Sequence, residues 1–279
     1  MNPELPSSFL YVPACKPELF AKALASQASA LILDLEDSVP PTEKEEAREE
    51  VREFLRTTPP QPKQIWVRIN PPSDAHDLCQ RELEMLATAG AAGVVLPKAE
   101  LATVRSVAAH SPNMPVIGLI ETARGFLQIS DIAEERSLVG FGVGRADLLS
   151  ELRVAPTAVS AFEQLALTIV VASAACELAA PIAPAHLQLA RGAEADAAAR
   201  DASQRFYDLG FRSQTSIHPR LCGVINSVFG SDHVEYDRAK TLLEDFDKSD
   251  GTLVTTDGQF VDEAVARRYR EIVRRYERS

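Results

Sequence analysis

Three acidic residues follow an apolar run in the segment LILDLEDSVP: Asp34, Glu36 and Asp37. A carboxylate buried without a partner is costly, so such groups are normally paired with a cation, hydrogen-bonded or bound to a metal ion. If the run is a strand, Asp34 and Glu36 share one face and Asp37 lies at the turn. The segment therefore predicts partners elsewhere in the chain, and Asp34, deeper in the strand, needs a hydrogen-bonding explanation of its own.

Two further acids and one arginine follow other apolar runs: Glu121 in IETARG, Asp147 in GRADL and Arg68 in VRIN. Carboxylate oxygens with few His or Cys residues nearby suit Mg²⁺ or Mn²⁺ and leave coordination positions for water and substrate. The planar fork of an arginine suits a substrate carboxylate or an enolate oxygen. Together these residues predict a site that binds an α-keto or α-hydroxy acid on a metal ion and stabilises an enolate.

Each of the three residues also has a purely structural interpretation. Glu121 could cap the helix that starts at Thr122, or it could pair with Arg124. Asp147 could be the N-cap of a short helix. Arg68 could form a structural ion pair with the acids of the LILDLEDSVP segment. The sequence leaves these alternatives open.

Eight strand-like runs must position these side chains. They alternate with helical patterns and lie at residues 8–14, 30–37, 64–70, 93–100, 115–122, 138–147, 180–188 and 212–219. This alternation is typical of βαβ units, and eight of them predict a (β/α)8 barrel with reactive groups at the carboxyl ends of the strands. A doubly wound open sheet is the structural alternative, but no G-x-G-x-x-G motif follows an early strand.

The pattern changes near residue 230, which predicts a barrel domain over residues 1–230 and a C-terminal arm over residues 231–279. The arm contains a helix carrying AKTLLEDF, a hairpin-like piece DGTLVTTDGQFVDE and a basic amphipathic helix AVARRYREIVRRYER. A two-stranded flap followed by a helix does not fit the alternation of single strands and helices that forms the eight units of the barrel. We interpret this segment as a lid over a site or as an arm against another subunit.

The composition excludes several classes of protein. The chain has 279 residues and a net charge of -11, which disfavours nucleic acid as a partner. No run approaches the roughly 18 apolar residues of a membrane helix. The N-terminal segment lacks the features of a secretion signal, so we expect a cytoplasmic protein. The four cysteines are scattered, without zinc-site spacing, and are expected to be reduced thiols.

A series of motifs covers nearly the whole chain in a characteristic order: FLYVPACKPELFAKAL, LILDLEDSV, VRIN, LPKAE, IETARG, GVGRADL and GFRSQTSIHP. In this order they resemble the citrate lyase β-subunit-like group of the HpcH/HpaI aldolase superfamily. The resemblance implies a Mg²⁺-dependent lyase acting on malyl-, citramalyl- or citryl-type thioesters of coenzyme A or of an acyl-carrier protein, with a small keto acid as the second partner. It also implies a homotrimer or another homo-oligomer.

The resemblance assigns roles to individual residues of the barrel. Glu121 and Asp147 match the pair that binds magnesium, and Arg68 matches the arginine that holds the substrate oxygens. Glu36 and Asp37 match acids that lie beside this arginine and order metal-bound water.

Two further assignments lie at the ends of the chain. DGQFVDE is similar to a lid motif of the family, which implies that Asp262 is an acid/base delivered over the site, in many relatives from a neighbouring subunit. Lys16 and Lys22, near the end of the first strand, are expected to meet the phosphates of coenzyme A.

The chain also departs from the family pattern. Ala14 stands where glycine is common, Ala183 and Gln188 stand where strand 7 often carries acids, and Phe260 stands where methionine is usual in the lid. The missing acids imply that the acyl or coenzyme A end of the substrate is unusual.

Three alternatives to a simple lyase remain at this stage. The first is a malate synthase-like condensation followed by thioester hydrolysis, and the second is a lyase subunit that acts only on an acyl-carrier-protein substrate. The third is a non-catalytic barrel whose acids are purely structural.

Overall fold

Eight parallel strands close into a barrel in the computed structural model, which describes residues 4–230 and 232–277. Each strand pairs with its neighbours in sequence, and the first pairs with the last. The predicted (β/α)8 fold is confirmed, and the doubly wound alternative is wrong. The strands are β1 (Ser8–Pro13), β2 (Ala30–Asp34), β3 (Gln64–Arg68), β4 (Gly93–Leu96), β5 (Val116–Ile120), β6 (Leu138–Val143), β7 (Ile182–Ala183) and β8 (Ser213–Ser216).

Helices connect the successive strands. In α2, the buried residues Ala47, Val51 and Leu55 recur every four positions, which places them on one face of the helix. The helices up to the end of the barrel are α1 (Phe20–Leu24), α2 (Lys44–Thr57), α3 (His76–Ala89), α4 (Leu101–His110), α5 (Ala123–Leu127), α6 (Ile129–Ala133), α7 (Arg145–Glu151), α8 (Val159–Ala175), α9 (Ala193–Leu209) and α10 (Pro219–Phe229).

The barrel core is built from the strands themselves. Strands β2, β4 and β5 are buried along their whole length, as expected for parallel strands that are covered on both faces. One core cluster joins residues of six strands: Phe9, Ala30, Ile32, Trp66, Val95, Ile117, Leu119 and Ile182. This packed interior fixes the strand ends that carry the polar residues.

All eight strands are shorter than the runs identified in the sequence, and the difference is largest at β7. The run over residues 180–188 forms only the two-residue strand β7, and the chain from Pro184 onward is a loop. The run over residues 93–100 ends as β4 at Leu96, and Lys98 has a left-handed backbone with φ +47°. The left-handed Lys98 interrupts the strand pleat after β4, so apolar composition alone overestimates the length of this strand.

The chain divides into two compact units, one ending at Val228 and the other beginning at Phe229. The second unit contains α11 (Asp232–Phe246), a hairpin of β9 (Leu253–Val254) and β10 (Phe260–Val261), and α12 (Glu263–Tyr276). Its core joins the helices and the hairpin through Leu242, Phe246, Val261 and Ala266. The predicted order of helix, hairpin and helix is therefore present.

In the described part of the chain, every helix is too short or too polar to span a bilayer. The cysteines are unpaired thiols, as predicted. Cys79 and Cys222 are buried, and burial raises the pKa of the Cys79 thiol to about 12. A thiol with such a raised pKa is a poor nucleophile.

Gly93 at the start of β4 provides a test of the barrel packing. A Cβ atom at this position would lie 2.5 Å from the carbonyl oxygen of Pro115 and would overlap the Trp66 ring. We expect Gly93→Ala to lower the free energy of unfolding by about 1–3 kcal/mol in urea denaturation. Gly140→Ala is the matched control, because its new Cβ would meet the movable Leu5 Cδ1 at 3.1 Å. Equal losses in the two variants would contradict this interpretation of the packing.

Candidate active site

Arg68, at the carboxyl end of β3, is the centre of a charge cluster. Its Nε and Nη2 donate hydrogen bonds to the two carboxylate oxygens of Asp34, each at 2.7 Å. Its Nη1 lies 2.7 Å from Glu36 Oε2 and 3.8 Å from Asp37 Oδ2. The Tyr11 ring stacks on the same guanidinium, with 5.1 Å from Cζ to the ring centroid. The structure thus brings Arg68 to all three acids of LILDLEDSVP, so the structural ion pair that the sequence left open for Arg68 is present, and it supplies the partner of Asp34.

The pairing of β2 with β3 places Asp34 directly beside Arg68. Burial would raise the pKa of Asp34, but the hydrogen bonds and the positive charge of Arg68 outweigh it and hold this pKa below its usual range. Burial also opposes the charge on Arg68, yet Asp34 and, to a lesser degree, Tyr11 and Glu36 raise its pKa. The two groups are therefore a charged pair in the folded protein.

Glu36 differs from the acids on either side of it. Its side chain is buried, and burial raises its pKa to about 8, with Arg68 opposing and Asp37 adding to the shift. Its Oε2 is close to Arg68 Nη1, but no donor is aligned with this oxygen for a hydrogen bond. Asp37, by contrast, keeps 70% of its side chain exposed. The three carboxylates therefore differ in their environments. Asp34 is paired with Arg68 through two hydrogen bonds, Glu36 is buried and incompletely paired, and Asp37 is largely exposed to solvent.

A second polar network supports the loop that carries Glu36. Lys44 Nζ donates to the carbonyl oxygens of Leu35 and Glu36, both at 2.9 Å, and to Asn70 Oδ1 at 2.6 Å. The Asn70 backbone N–H and Nδ2 donate to the fully buried Glu82 at 2.7 and 2.5 Å. Burial raises the pKa of Glu82 to about 7, although the hydrogen bonds from Asn70 act to lower it. One ammonium thus fixes two consecutive carbonyls at the strand end.

Glu121 follows β5 and is only 5% exposed. Its Oε1 accepts a hydrogen bond of 2.8 Å from the backbone N–H of Lys98, which the left-handed conformation of Lys98 directs toward it. Burial raises the pKa of Glu121 to about 7, with the Lys98 N–H and Arg68 opposing and Asp147 adding to the shift. No donor among the described residues binds Oε2, so this oxygen is available to a ligand.

The structural alternatives for Glu121 are not found. Thr122 is the N-cap of α5, and its hydroxyl accepts from the N–H of Gly125 at 2.9 Å. Arg124 lies 3.7 Å from Glu100 instead. The carboxylate of Glu121 is therefore free of the capping role that its position in sequence suggests.

Gly144 provides the space for the Glu121 side chain. A Cβ atom at Gly144 would overlap both Oε2 and Cβ of Glu121. The close approach of the Gly144 backbone, at the end of β6, thus holds this carboxylate in place.

Asp147 lies in the first turn of α7 and is exposed. The N-cap of this helix is Gly144, and the Asp147 side chain makes no hydrogen bond to the described residues. The capping alternative for Asp147 is therefore not found either. A carboxylate in the first turn remains favourable for the helix dipole.

The oxygen donors of Glu121 and Asp147 suit a hard divalent cation. Within the described residues, no group of three or more His, Cys, Asp or Glu side chains is arranged to hold a metal ion. The protein would therefore supply two carboxylates and leave the remaining positions to water and substrate, as Mg²⁺ sites commonly do. The free Oε2 of Glu121 and the unpaired carboxylate of Asp147 fit this role.

A cavity of about 1160 Å³ opens at these strand ends. It is far larger than a small keto acid requires and has an apolar part between α8 and α9, where Phe162 and Phe206 line it. The polar residues that line it include Tyr11, Asp34, Asp37, Arg68, Glu121 and Asp147. Most of the predicted site residues therefore line one space, whereas the buried Glu36 does not line it.

Two further predicted site residues do not line this cavity. Lys16 is exposed just before the short turn Pro17–Leu19 and does not line the cavity. Asp262 belongs to the second unit, where its Oδ1 accepts a hydrogen bond of 3.0 Å from the N–H of Val265 and caps α12. Their predicted roles toward coenzyme A and in proton transfer stay predictions.

The sequence did not single out Tyr11 or His186, and it did not reveal how Lys98 of the LPKAE motif acts. Tyr11 lies within β1, and its position in the apolar run gave no polar signal, although burial raises the pKa of its phenol. Lys98 acts through its backbone, which composition does not reveal. His186 lines the cavity in the loop after β7, and burial, together with Arg220, lowers its pKa. Of these three residues, only His186 had a signal in the sequence, because a histidine just beyond a barrel strand is placed where active-site residues occur.

The chain matches the family HpcH/HpaI aldolase/citrate lyase over residues 7–219. A citrate lyase subunit beta-like protein of Mycobacterium tuberculosis is 34% identical over 273 residues, covering 96% of this chain and 94% of the relative. A (3S)-malyl-CoA thioesterase of Cereibacter sphaeroides is 30% identical over 266 residues, covering 91% and 89% of the two chains.

Solved structures of citrate lyase beta-type proteins are also similar to this chain. Protein CitE from M. tuberculosis in complex with magnesium, acetoacetate and coenzyme A superposes with a TM-score of 0.79 at 30% identity, covering 99% of this chain and 98% of that one. The citrate lyase beta subunit from the same organism, complexed with oxaloacetate and magnesium, has a TM-score of 0.69 at 32% identity, covering 82% and 99%.

The different environments of two neighbouring acids predict different effects on stability. Asp34→Asn leaves the buried Arg68 without its bidentate partner, and we expect a loss of about 3 kcal/mol in the free energy of unfolding at pH 7. Asp37→Asn, the matched control on the exposed side, should change it by less than about 0.5 kcal/mol. Urea denaturation of both variants at pH 7 measures the difference.

The pH dependence of this effect has a defined sign. Because the pKa of Asp34 is lowered on folding, its contribution is present above the ordinary Asp pKa and is lost as the pH falls through the folded value. The gap between wild type and Asp34→Asn should therefore narrow in strong acid. A gap that widened on acidification would contradict the assigned ion pair.

Gly144→Ala tests how the Glu121 carboxylate is held. The added Cβ displaces this side chain, so we expect Mg²⁺ binding, measured by isothermal titration, to weaken by at least about tenfold. Gly140→Ala, the same substitution within β6, is the matched control, because its new Cβ would meet Leu5 and Ala179 and not Glu121. Unchanged Mg²⁺ affinity in Gly144→Ala would show that Glu121 does not need this position.

Proposed function

The chain belongs to the HpcH/HpaI aldolase/citrate lyase family and is a carbon–carbon lyase of that superfamily, and on this premise we propose its reaction. It cleaves or forms the carbon–carbon bond of a β-hydroxyacyl thioester of the malyl-, citramalyl- or citryl-CoA type in a Mg²⁺-dependent manner. The products of cleavage are a small keto acid and an acyl thioester. The observation that carries the proposal is the common cavity of Arg68, Glu121 and Asp147.

Glu121 and Asp147 would hold the Mg²⁺ ion through their free carboxylate oxygens. When bound, Mg²⁺ supplies a Lewis acid that polarises the oxygens of the keto or hydroxy acid. Arg68 is held in one orientation because two of its nitrogens are bound to Asp34. Its permanent positive charge can then stabilise the substrate carboxylate and the negative charge that develops on the keto oxygen.

Glu36, Asp37 and Asp262 complete the proposed set of groups. Glu36 and Asp37 lie beside Arg68 and would order water at the edge of the site. Asp262 would exchange a proton with the α-carbon of the acyl thioester as an acid/base. In the cleavage direction, water at the edge of the site would accept the β-hydroxyl proton as the keto C=O forms and the carbon–carbon bond breaks. The bonding electron pair would pass to the thioester enolate, and Asp262 would then give a proton to its α-carbon.

The ligands of the solved relatives support this substrate class. One M. tuberculosis structure combines magnesium, acetoacetate and coenzyme A, and another combines magnesium with oxaloacetate. A coenzyme A thioester needs more room than a keto acid, and the 1160 Å³ cavity provides it. Lys16 is our candidate contact for the phosphates of coenzyme A.

Thioester hydrolysis after condensation is the second candidate function. It is favoured by the 30% identity to a (3S)-malyl-CoA thioesterase over most of both chains. Release of free coenzyme A from a malyl thioester distinguishes this reaction from simple cleavage, which leaves the thioester bond intact. A third candidate, action only on an acyl-carrier protein, predicts turnover only when the carrier-bound ester is supplied.

We also propose a homo-oligomer, such as a homotrimer, in the cytoplasm. The hairpin of the second unit exposes Val254 and Phe260, which are 63% and 57% accessible and suit contact with a neighbouring chain. The unpaired cysteines agree with a reducing compartment. Sedimentation velocity would measure the oligomeric state.

The central test combines Mg²⁺ with malyl-, citramalyl- and citryl-CoA and identifies the products by mass. We expect cleavage of at least one ester and a loss of kcat/KM of about 100-fold or more in Glu121→Gln and Asp147→Asn, because both remove a carboxylate charge. Asp131→Asn, an exposed acid on α6, is the matched control and should retain activity. Equal Mg²⁺ binding and turnover in all variants would exclude the proposed metal site.

Asp262→Asn separates the acid/base role from the capping role of this residue. Asparagine still caps a helix, so the unfolding midpoint should stay close to that of wild type. It does not transfer the proton, so kcat should fall by about 100-fold or more. A variant with full activity would remove Asp262 from the mechanism while leaving the metal site untouched.

A further inference from the structure

Two histidines converge on the outside of the barrel, away from the cavity. His76 opens α3 and His110 ends α4, and their rings are 6.0 Å apart at an angle of 77°. Both Nε2 atoms lie against the same atom, Gln80 Nε2, at 2.9 Å from His76 and 2.7 Å from His110. One point in space is therefore flanked by two imidazole nitrogens from different helices.

The hydrogen bonds define which nitrogen of His110 carries the proton. His110 Nδ1 lies 2.9 Å from the carbonyl oxygen of Ser106, which only accepts hydrogen bonds. Nδ1 must therefore be the protonated nitrogen, and Nε2 presents a lone pair toward Gln80. A carbonyl that fixes the far nitrogen of the imidazole in this way is a common support for a metal-ligating histidine.

We propose that His76, Gln80 and His110 form a binding site for a late first-row divalent metal such as Zn²⁺. Imidazole nitrogen binds Zn²⁺ at about 2.0–2.1 Å. An ion at the present position of Gln80 Nε2 would therefore be bound after a small inward movement of the two exposed imidazole rings. Rotation of this amide would present Oε1 as a third ligand. Mg²⁺ prefers oxygen ligands and would not compete for two imidazoles.

The arrangement of the ligands is suited to linking two helices. His76 and Gln80 are four residues apart and lie on one face of α3, whereas His110 belongs to α4. These helices precede and follow β4, the strand whose end places the Lys98 N–H on Glu121. An ion bound between α3 and α4 would hold the folded barrel and stabilise it by mass action.

The test is an isothermal titration of the full chain with ZnCl₂ in the presence of excess MgCl₂, which occupies the carboxylate site. We expect one Zn²⁺ site in wild type and a loss of affinity of at least about tenfold in His76→Ala and in His110→Ala. His218→Ala is the matched control, because this histidine is partly exposed and its Nδ1 accepts a hydrogen bond from the Arg220 N–H. All replaced side chains are at least partly exposed, and circular dichroism checks that the variants are folded.

Two further measurements separate a metal site from a structural hydrogen-bond pair. Gln80→Glu places a carboxylate between the imidazoles and should tighten Zn²⁺ binding, whereas a purely structural role would gain nothing from Zn²⁺. Zn²⁺ should also raise the thermal midpoint of wild type but not of His110→Ala. Identical isotherms for wild type and both histidine variants, or no Zn²⁺ binding by wild type, would overturn the proposal.

Discussion

The bidentate ion pair between Arg68 and Asp34 is the interaction on which the candidate site depends. It joins β2 to β3 at their carboxyl ends, where their register already makes these two residues partners. A guanidinium that is bound through two nitrogens loses most of its rotational freedom, and its third nitrogen then faces Glu36. The same contact keeps a buried positive charge where a keto acid would place its negative oxygens.

The acids around Arg68 differ in protonation behaviour because their environments differ. Asp34 is paired and stays charged, while the buried Glu36 and Glu121 have raised pKa values. Burial of several carboxylates beside one arginine is costly without further positive charge. A cation held by Glu121 and Asp147, as proposed, would relieve this cost.

Backbone geometry completes the site at positions that carry no conspicuous side-chain chemistry. The left-handed Lys98 directs its N–H onto Glu121, and Gly144 leaves room for that carboxylate. Lys44 anchors the carbonyls of Leu35 and Glu36. These residues set the orientation of the acids, so the precision of the site comes from the loops that follow the strands as much as from the strands.

The sequence by itself determined the barrel, because apolar runs alternating with helical patterns leave few other ways to bury eight strands. It also determined which carboxylates and which arginine end those strands, since residue type and position at a strand end are local properties. Strand length was overestimated in every case, most of all at β7, where an early loop overrides the apolar pattern, while a left-handed residue follows the end of β4. Only the tertiary structure decided the partner of Asp34, the roles of Tyr11 and Lys98, and the meeting of His76 with His110. Each of these depends on contacts between segments distant in sequence or on backbone conformation, which side-chain spacing does not encode.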